Sequence, residues 1–246
     1  MSRFTNKVAL VTGGSRGIGA AIVRRLTQEG AAVAFTYVSS TAKAEALATE
    51  LTQQGLRVLA LQADSADSGA VTAAVEQVAA TFGRVDILVN NAGISSNKPF
   101  EEYTLTEFRQ LLAVHVEAPF VAAQAALPHM VAGGRIITIG SNLAERVPTA
   151  NATLYATTKA ALLGFTKGLA RDVGARRITV NLIQPGPIDT DMNPADSPYS
   201  DWLRAQMAIP EFGQGADIAS LTAWVASEEG RFVTGSILTI DGGMNS

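Results

Sequence analysis

The stretch Val8-Ala-Leu-Val-Thr12-Gly-Gly-Ser-Arg-Gly-Ile-Gly19 runs from four apolar residues through a glycine-rich turn into a helical pattern. A short apolar run closed by glycines predicts a strand buried on both faces. Gly13, Gly17 and Gly19 then permit a tight turn and a close backbone approach to a pyrophosphate at the positive helix N-terminus that follows. That strand–turn–helix context is what a dinucleotide fingerprint requires; an ordinary glycine-rich βα turn is the plainer alternative.

The pattern repeats outward. A helix over about residues 18–29, stopped by Gly30, precedes the strand Ala32-Val-Ala-Phe-Thr-Tyr37. A helix over 41–54, ended by Gly55, precedes the strand Arg57-Val-Leu-Ala-Leu-Gln62. A helix over 67–82 leads to Asp86-Ile-Leu-Val-Asn90, and longer helical patterns fill 106–130, interrupted near Pro119 and Pro128. Gly134-Arg-Ile-Ile-Thr-Ile139 is the fifth strand, a helix carrying Tyr155 and running to about 173 follows, and Thr179-Val-Asn-Leu-Ile183 and Ile237-Leu-Thr-Ile240 are the last two strands. Apolar strands alternating with helices predict an α/β fold, a single domain over 1–246. The sheet is a Rossmann-type doubly wound one of about seven parallel strands with helices on both faces. Ligands then bind beyond the carboxyl ends of the strands. The proline-rich segment 187–215 breaks the rhythm, with one short amphipathic piece over 199–207, and is expected to be a lid.

The chain has 246 residues, 47% of them apolar, and a formal charge of −3. With no basic cluster on a helix face, neither nucleic acid nor an anionic membrane is an expected partner. No cysteine is present, which excludes disulfides and thiolate chemistry. His115 and His129 are the only imidazoles, and nothing in the sequence groups them with carboxylates, so no metal is expected. No presequence and no apolar stretch near the ~20 residues of a membrane span stand out, so a cytoplasmic protein is expected.

Tyr155 and Lys159 lie four apart in a helical stretch, on one helix face. A phenol of pKa ~10 is a poor acid or base at neutral pH, and a cation beside it favours the phenolate. Such a pair also occurs by chance on helix surfaces; its company with the glycine turn points to hydride transfer at a carbonyl carbon.

The spacing Thr12-Gly-x-x-x-Gly-x-Gly19, with Asn90-Asn-Ala-Gly93 after the fourth strand, resembles the short-chain dehydrogenase/reductase family. So do Ser141 after the fifth strand, Tyr155-x-x-x-Lys159, Pro185-Gly186 with Ile188 and Thr190, and Asp241-Gly-Gly243. The resemblance covers essentially the whole chain and is strongest to the carbonyl-reducing branch that contains the 3-oxoacyl-acyl-carrier-protein reductases. It implies that Tyr155 is the general acid for reduction and the base for oxidation. Lys159 lowers its pKa and binds the nicotinamide ribose, and Ser141 donates to the substrate oxygen. It further implies dinucleotide contacts from Gly13, Ser15, Arg16, Gly17, Ile18 and Gly19, and from Tyr37, Ser39 and Ser40. Asp64 accepts from the adenine amino group, Asn91, Ala92 and Gly93 line the adenosine, and Pro185, Gly186, Ile188 and Thr190 surround the carboxamide. A homotetramer, paired through the helices of 106–130 and 155–173, is implied as well.

His115 stands where the family usually has an asparagine whose carbonyl holds a water leading to Lys159. Three roles are open to it: that carbonyl, proton transfer by the imidazole, or a histidine satisfied by nearby backbone. After the second strand the chain reads Tyr37-Val-Ser-Ser40, with no carboxylate before Glu45 to repel a 2′-phosphate. Arg16, Ser39 and Ser40 suit that phosphate instead, so NADP(H) is the expected cofactor. Ser95, Leu143, Met192 and Trp202 are the expected pocket walls. The expected reaction is reversible, NADPH-dependent reduction of a small-molecule ketone to a secondary alcohol. A carrier-protein-bound 3-oxoacyl substrate is the alternative, with Arg176 and Arg177 as its suspected docking residues, and a non-catalytic NADP-binding sensor is a remote one.

Overall fold

In the computed structural model, which describes residues 2–246, seven strands pair in parallel. They are β1 (Val8–Val11), β2 (Ala32–Tyr37), β3 (Val58–Gln62), β4 (Ile87–Asn90), β5 (Arg135–Ile139), β6 (Thr179–Pro185) and β7 (Ile237–Ile240). Their order is β3-β2-β1-β4-β5-β6-β7, so the winding reverses between β1 and β4. This is the topological switch point, where the loops after both strands turn away from each other and open a crevice.

The helices are α1 (Gly17–Gln28), α2 (Thr41–Gln53), α3 (Ser68–Phe82), α4 (Leu105–Leu112), α5 (Ala118–Ala126), α6 (Thr153–Val173), α7 (Ser200–Ala205) and α8 (Gly215–Ala226). Alternate strand residues feed two cores. Ala9, Val11, Val33 and Phe35 pack under α1, α2 and α8, whereas Leu10, Ala32, Ala34 and Val180 pack under α3, α5 and α6. The strands therefore read as unbroken apolar runs, because both faces are covered. The edge strand β7 is only half-buried.

Three features differ from the sequence-based expectation. β6 runs two residues further, to Pro185. α8 is a helix that its sequence does not announce: Gln214, an unusual N-cap, exchanges hydrogen bonds with Asp217. The helical run Leu105–His129 is also long and apolar enough to cross a membrane, with a mean hydropathy of 1.3. Its apolar side is a core face, since α5 packs on α3 and places Ala122, Ala123 and Ala126 in the second core.

Candidate active site

The glycine turn is shaped by the strand beside it. Gly13 has φ +64°, and a Cβ there would lie 2.9 Å from the Cα of Ala92. A Cβ on Gly19 would lie 2.5 Å from Nδ2 of Asn91. Both positions therefore need glycine. Thr12 Oγ1 accepts from the amides of Asn91 and Ala92, both at 3.0 Å. Asn91 Nδ2 donates to the carbonyls of Thr12 and Gly13, at 2.9 and 3.0 Å. These bonds lock the turn to the end of β4. The N-cap of α1, Arg16, is extended and makes no side-chain cap, which leaves the first amides of the helix to an anion. Ser15 and Ile18 in the same turn are half-buried.

At the end of β2, Tyr37 is half-buried and Ser39 exposed. Ser40 is the N-cap of α2 without a side-chain cap bond, and the first turn of that helix holds no acid. Lys43, on that first turn, was not foreseen. Its Nζ donates to Asp191 at 2.6 Å, and Arg16 Nη1 lies 3.7 Å from the same carboxylate oxygen. The two are 27 residues apart in the chain, so only the fold gathers them. Two cations and an uncapped hydroxyl beside the end of β2 fit a 2′-phosphate on the adenosine ribose. Asp64 is exposed after β3, and one of its oxygens accepts the amide of Ala66 at 2.8 Å.

Beyond β5, buried Ser141 caps a 3-10 turn, accepting from the amide of Leu143 at 3.2 Å, and its hydroxyl lies beside the phenol of Tyr155. Lys159 Nζ donates to the carbonyl of Ile139 at 3.2 Å and lies 5.6 Å from the centre of the Tyr155 ring. The structure thus brings Ser141, Tyr155 and Lys159 together. It does not bear out the expected sense of the Tyr155 pKa. Burial pushes the phenol up, and the Ser141 hydroxyl only partly offsets it. Burial also brings the Lys159 ammonium down to about 8. The phenol therefore rests protonated, the form needed to give a proton to a reduced carbonyl.

His115 is 1% exposed, on a single π-helical turn (Ala113–Glu117) between α4 and α5. Its Nε2 accepts from the amide of Ile94 at 3.0 Å, so the ring proton sits on Nδ1 and is donated to Thr158 Oγ1 at 2.8 Å. Thr158 in turn donates to the carbonyl of Tyr155 at 2.8 Å, and the His115 ring meets the Tyr155 ring edge-on, 5.6 Å between centres. Burial, then the charge of Lys159, pull the imidazole from 6.5 to about 3. With both nitrogens engaged and the ring neutral, the imidazole is not placed to relay protons. Its geometry is that of a residue satisfied within the fold. Pro119 has no N–H, so it cannot donate to the carbonyl of His115 four residues earlier.

A pH prediction follows for this residue. The folded chain keeps His115 unprotonated, whereas the unfolded chain takes up a proton below 6.5. Its contribution is full above pH 6.5 and is lost as the pH falls toward 3, by about 2 kcal/mol at pH 5. Urea unfolding at pH 7 and pH 5 should show this loss in the parent and not in His115→Asn. Equal losses in both would refute it.

Of the expected pocket walls, Met192 and Trp202 are 48% and 42% exposed, Ser95 is exposed and Leu143 half-buried. Pro185 closes β6, and the amide of Gly186 donates to the carbonyl of Ile240 at 3.0 Å. Ile188 is buried and bridges to Gly213, while Thr190 Oγ1 accepts from the amide of Asn193 at 3.2 Å. Gly17 and Gly93 border the crevice; a Cβ on Gly93 would lie 3.5 Å from Nε2 of His115 and 3.7 Å from Nζ of Lys159. The basic residues proposed for carrier docking are corrected by the fold. Arg176 donates to the carbonyls of Leu127 and Met130, and Arg135, the first positive charge after Met130, is 4% exposed. With Arg177 they stand at the amino ends of β5 and β6, away from the crevice of their own chain. His129 does meet a carboxylate, Glu76 at 3.1 Å, a pairing between residues 53 apart in the chain.

A glycine-turn cradle at the switch point, with a phenol, a hydroxyl and an ammonium at the neighbouring strand ends, defines a dinucleotide-dependent oxidoreductase of the Rossmann class. A family model described as enoyl-(acyl carrier protein) reductase matches residues 13–245. The chain belongs to the short-chain dehydrogenase/reductase family. A solved short-chain dehydrogenase from Burkholderia cenocepacia J2315, in complex with NADP, is 53% identical with a TM-score of 0.98, over 99% of this chain and 100% of that one. The cyclic-di-GMP-binding biofilm dispersal mediator protein of Escherichia coli K12 is 46% identical, over 98% of both chains. The 3-oxoacyl-[acyl-carrier-protein] reductase of Staphylococcus aureus Mu50 is 38% identical, over 97% of this chain and 98% of its own.

Proposed function

We propose that this chain is an NADP(H)-dependent carbonyl reductase that converts a small-molecule ketone reversibly into a secondary alcohol. The observation that carries this reading is the grouping of the Ser141 hydroxyl beside the Tyr155 phenol, with Lys159 Nζ 5.6 Å from the centre of that ring. NADP(H), when bound, supplies the hydride. Ser141 holds the ketone oxygen by donating its hydroxyl, and Tyr155, protonated at rest, passes its proton to that oxygen as it gains negative charge. Lys159, mostly charged at neutral pH, then stabilises the phenolate left behind. In the alcohol-oxidising direction the same phenolate is the base. Arg16, Lys43 and Ser40 take the 2′-phosphate, and the turn from Gly13 to Gly19 takes the pyrophosphate.

The likeness to the S. aureus reductase favours a second reading, in which the ketone is a 3-oxoacyl chain on carrier protein. The exposed Phe108 and Phe120 on α4 and α5 support assembly with further copies of the chain, as a homotetramer, for which light scattering is the check. The deciding experiment follows NADPH oxidation against cyclic ketones, aryl ketones, 2-keto esters and a 3-oxoacyl thioester. Fast turnover of free ketones with a slow thioester is the expected outcome. A dominant thioester rate would replace the first reading by the second, and binding of NADPH without any turnover would leave a sensor.

A further inference from the structure

Asp191 lies on the lid, 148 residues from Lys43, yet both cations proposed for the 2′-phosphate meet its carboxylate: Lys43 Nζ at 2.6 Å and Arg16 Nη1 at 3.7 Å. They come from different elements, the first turn of α2 and the N-cap of α1. All three side chains are half-exposed, so the carboxylate sits where a soluble anion can reach the same cations. The lid segment that carries Asp191 holds its own shape. Thr190 and Asn193 pair across a tight turn, Asp189 Oδ1 accepts the amide of Ala195 at 3.0 Å, and the amide of Asp189 donates to the carbonyl of Gly213 at 2.9 Å. The turn also rests on the glycine loop, since a Cβ on Gly17 would lie 3.4 Å from Cγ2 of Thr190. Asp191 is therefore presented to the cations by a preformed turn.

A phosphate monoester carries about −1.5 to −2 charges near neutral pH and seeks the same donors as a carboxylate. Two anions cannot share two cations without like-charge repulsion. We propose that Asp191 is a coenzyme-discriminating residue, an internal stand-in for the 2′-phosphate that NADP(H) must displace and that NAD(H) leaves in place. This rests on the reading of Arg16 and Lys43 as the phosphate site. Phosphate binding then breaks the contact between the lid turn and the two cations, which ties the state of the lid to which coenzyme is bound. The Lys43 and Arg16 charges already hold the Asp191 carboxyl below the usual carboxylate range, as expected of an occupied anion site.

The test is a fluorescence titration of NADPH and of NADH, without ketone, into the parent, Asp191→Asn and Asp191→Glu. Asp191→Asn is expected to bind NADPH roughly threefold to tenfold more tightly, the scale of two exposed ion pairs released. NADH affinity should stay put, and the gain should shrink at high salt, where the pairs are screened. Asp191→Glu, which keeps the charge, should behave as the parent. Unchanged or weaker NADPH binding by Asp191→Asn, in a parent that prefers NADPH, would overturn the role of Asp191 alone. A parent that binds both coenzymes equally would overturn the phosphate site itself and Asp191 with it.

Discussion

Tyr155→Phe is expected to lower NADPH-dependent ketone reduction by about 10³-fold, the middle of the range a positioned general acid supplies. NADPH affinity should change by no more than about twofold, because the loss belongs to the transition state. The substitution is a clean probe of the hydroxyl. Phenylalanine retains the ring that His115 meets edge-on. Thr158 bonds the backbone carbonyl of residue 155, which the substitution leaves untouched. The hydroxyl of Ser141 loses its phenol partner but remains next to the ketone site, so Ser141 alone would have to stabilise the developing oxyanion. Stopped-flow measurement of single-turnover NADPH oxidation separates the chemical step from release. Parent-like single turnover would mean that another group delivers the proton.

Arg16→Ala combined with Lys43→Ala is expected to raise KM for NADPH about 100-fold, roughly tenfold for each charge-assisted contact at a half-exposed position. KM for NADH should hardly move, since that coenzyme has no phosphate for the two cations to meet. Lys43→Ala alone should account for about half of the effect in free energy. Steady-state kinetics with both coenzymes decides it. A similar loss for NADPH and NADH would mean that the glycine turn has been damaged instead, and no loss for either would remove the phosphate from this place.

The sheet was legible because each buried strand is a short apolar run bounded by glycine or a polar turn, as in Val8–Val11 and Ile87–Asn90. Ser141, Tyr155 and Lys159 were legible because their spacing along the chain survives folding. α8 was not, for two physical reasons: a glutamine N-cap is an uncommon start signal, and its largely apolar composition shows little periodicity where it packs on α1. Lys43 and Asp191 were missed because their meeting depends on how the segment after β6 folds back toward the glycine turn. His115 was legible as a departure from pattern but not as a settled partner of Ile94 and Thr158, each more than 20 residues away. The Tyr155 phenol was misjudged for a related reason. Spacing reports the cation beside it, whereas burial, which dominates, is a property of the folded site.

The division of labour along the lid has a consequence for how such a protein changes over generations. Its stem, Pro185 to Ile188, is held by the sheet, but Met192, Tyr199, Trp202 and Ile209 stand 42–74% exposed and belong to neither core. Surface replacements of that kind typically alter stability by less than about 0.5 kcal/mol. Selection can therefore rework this exposed segment, one side chain at a time, without first having to secure the fold. On the proposed reading, preference among ketones is free to drift between lineages that keep the same glycine turn and the same Ser141, Tyr155 and Lys159.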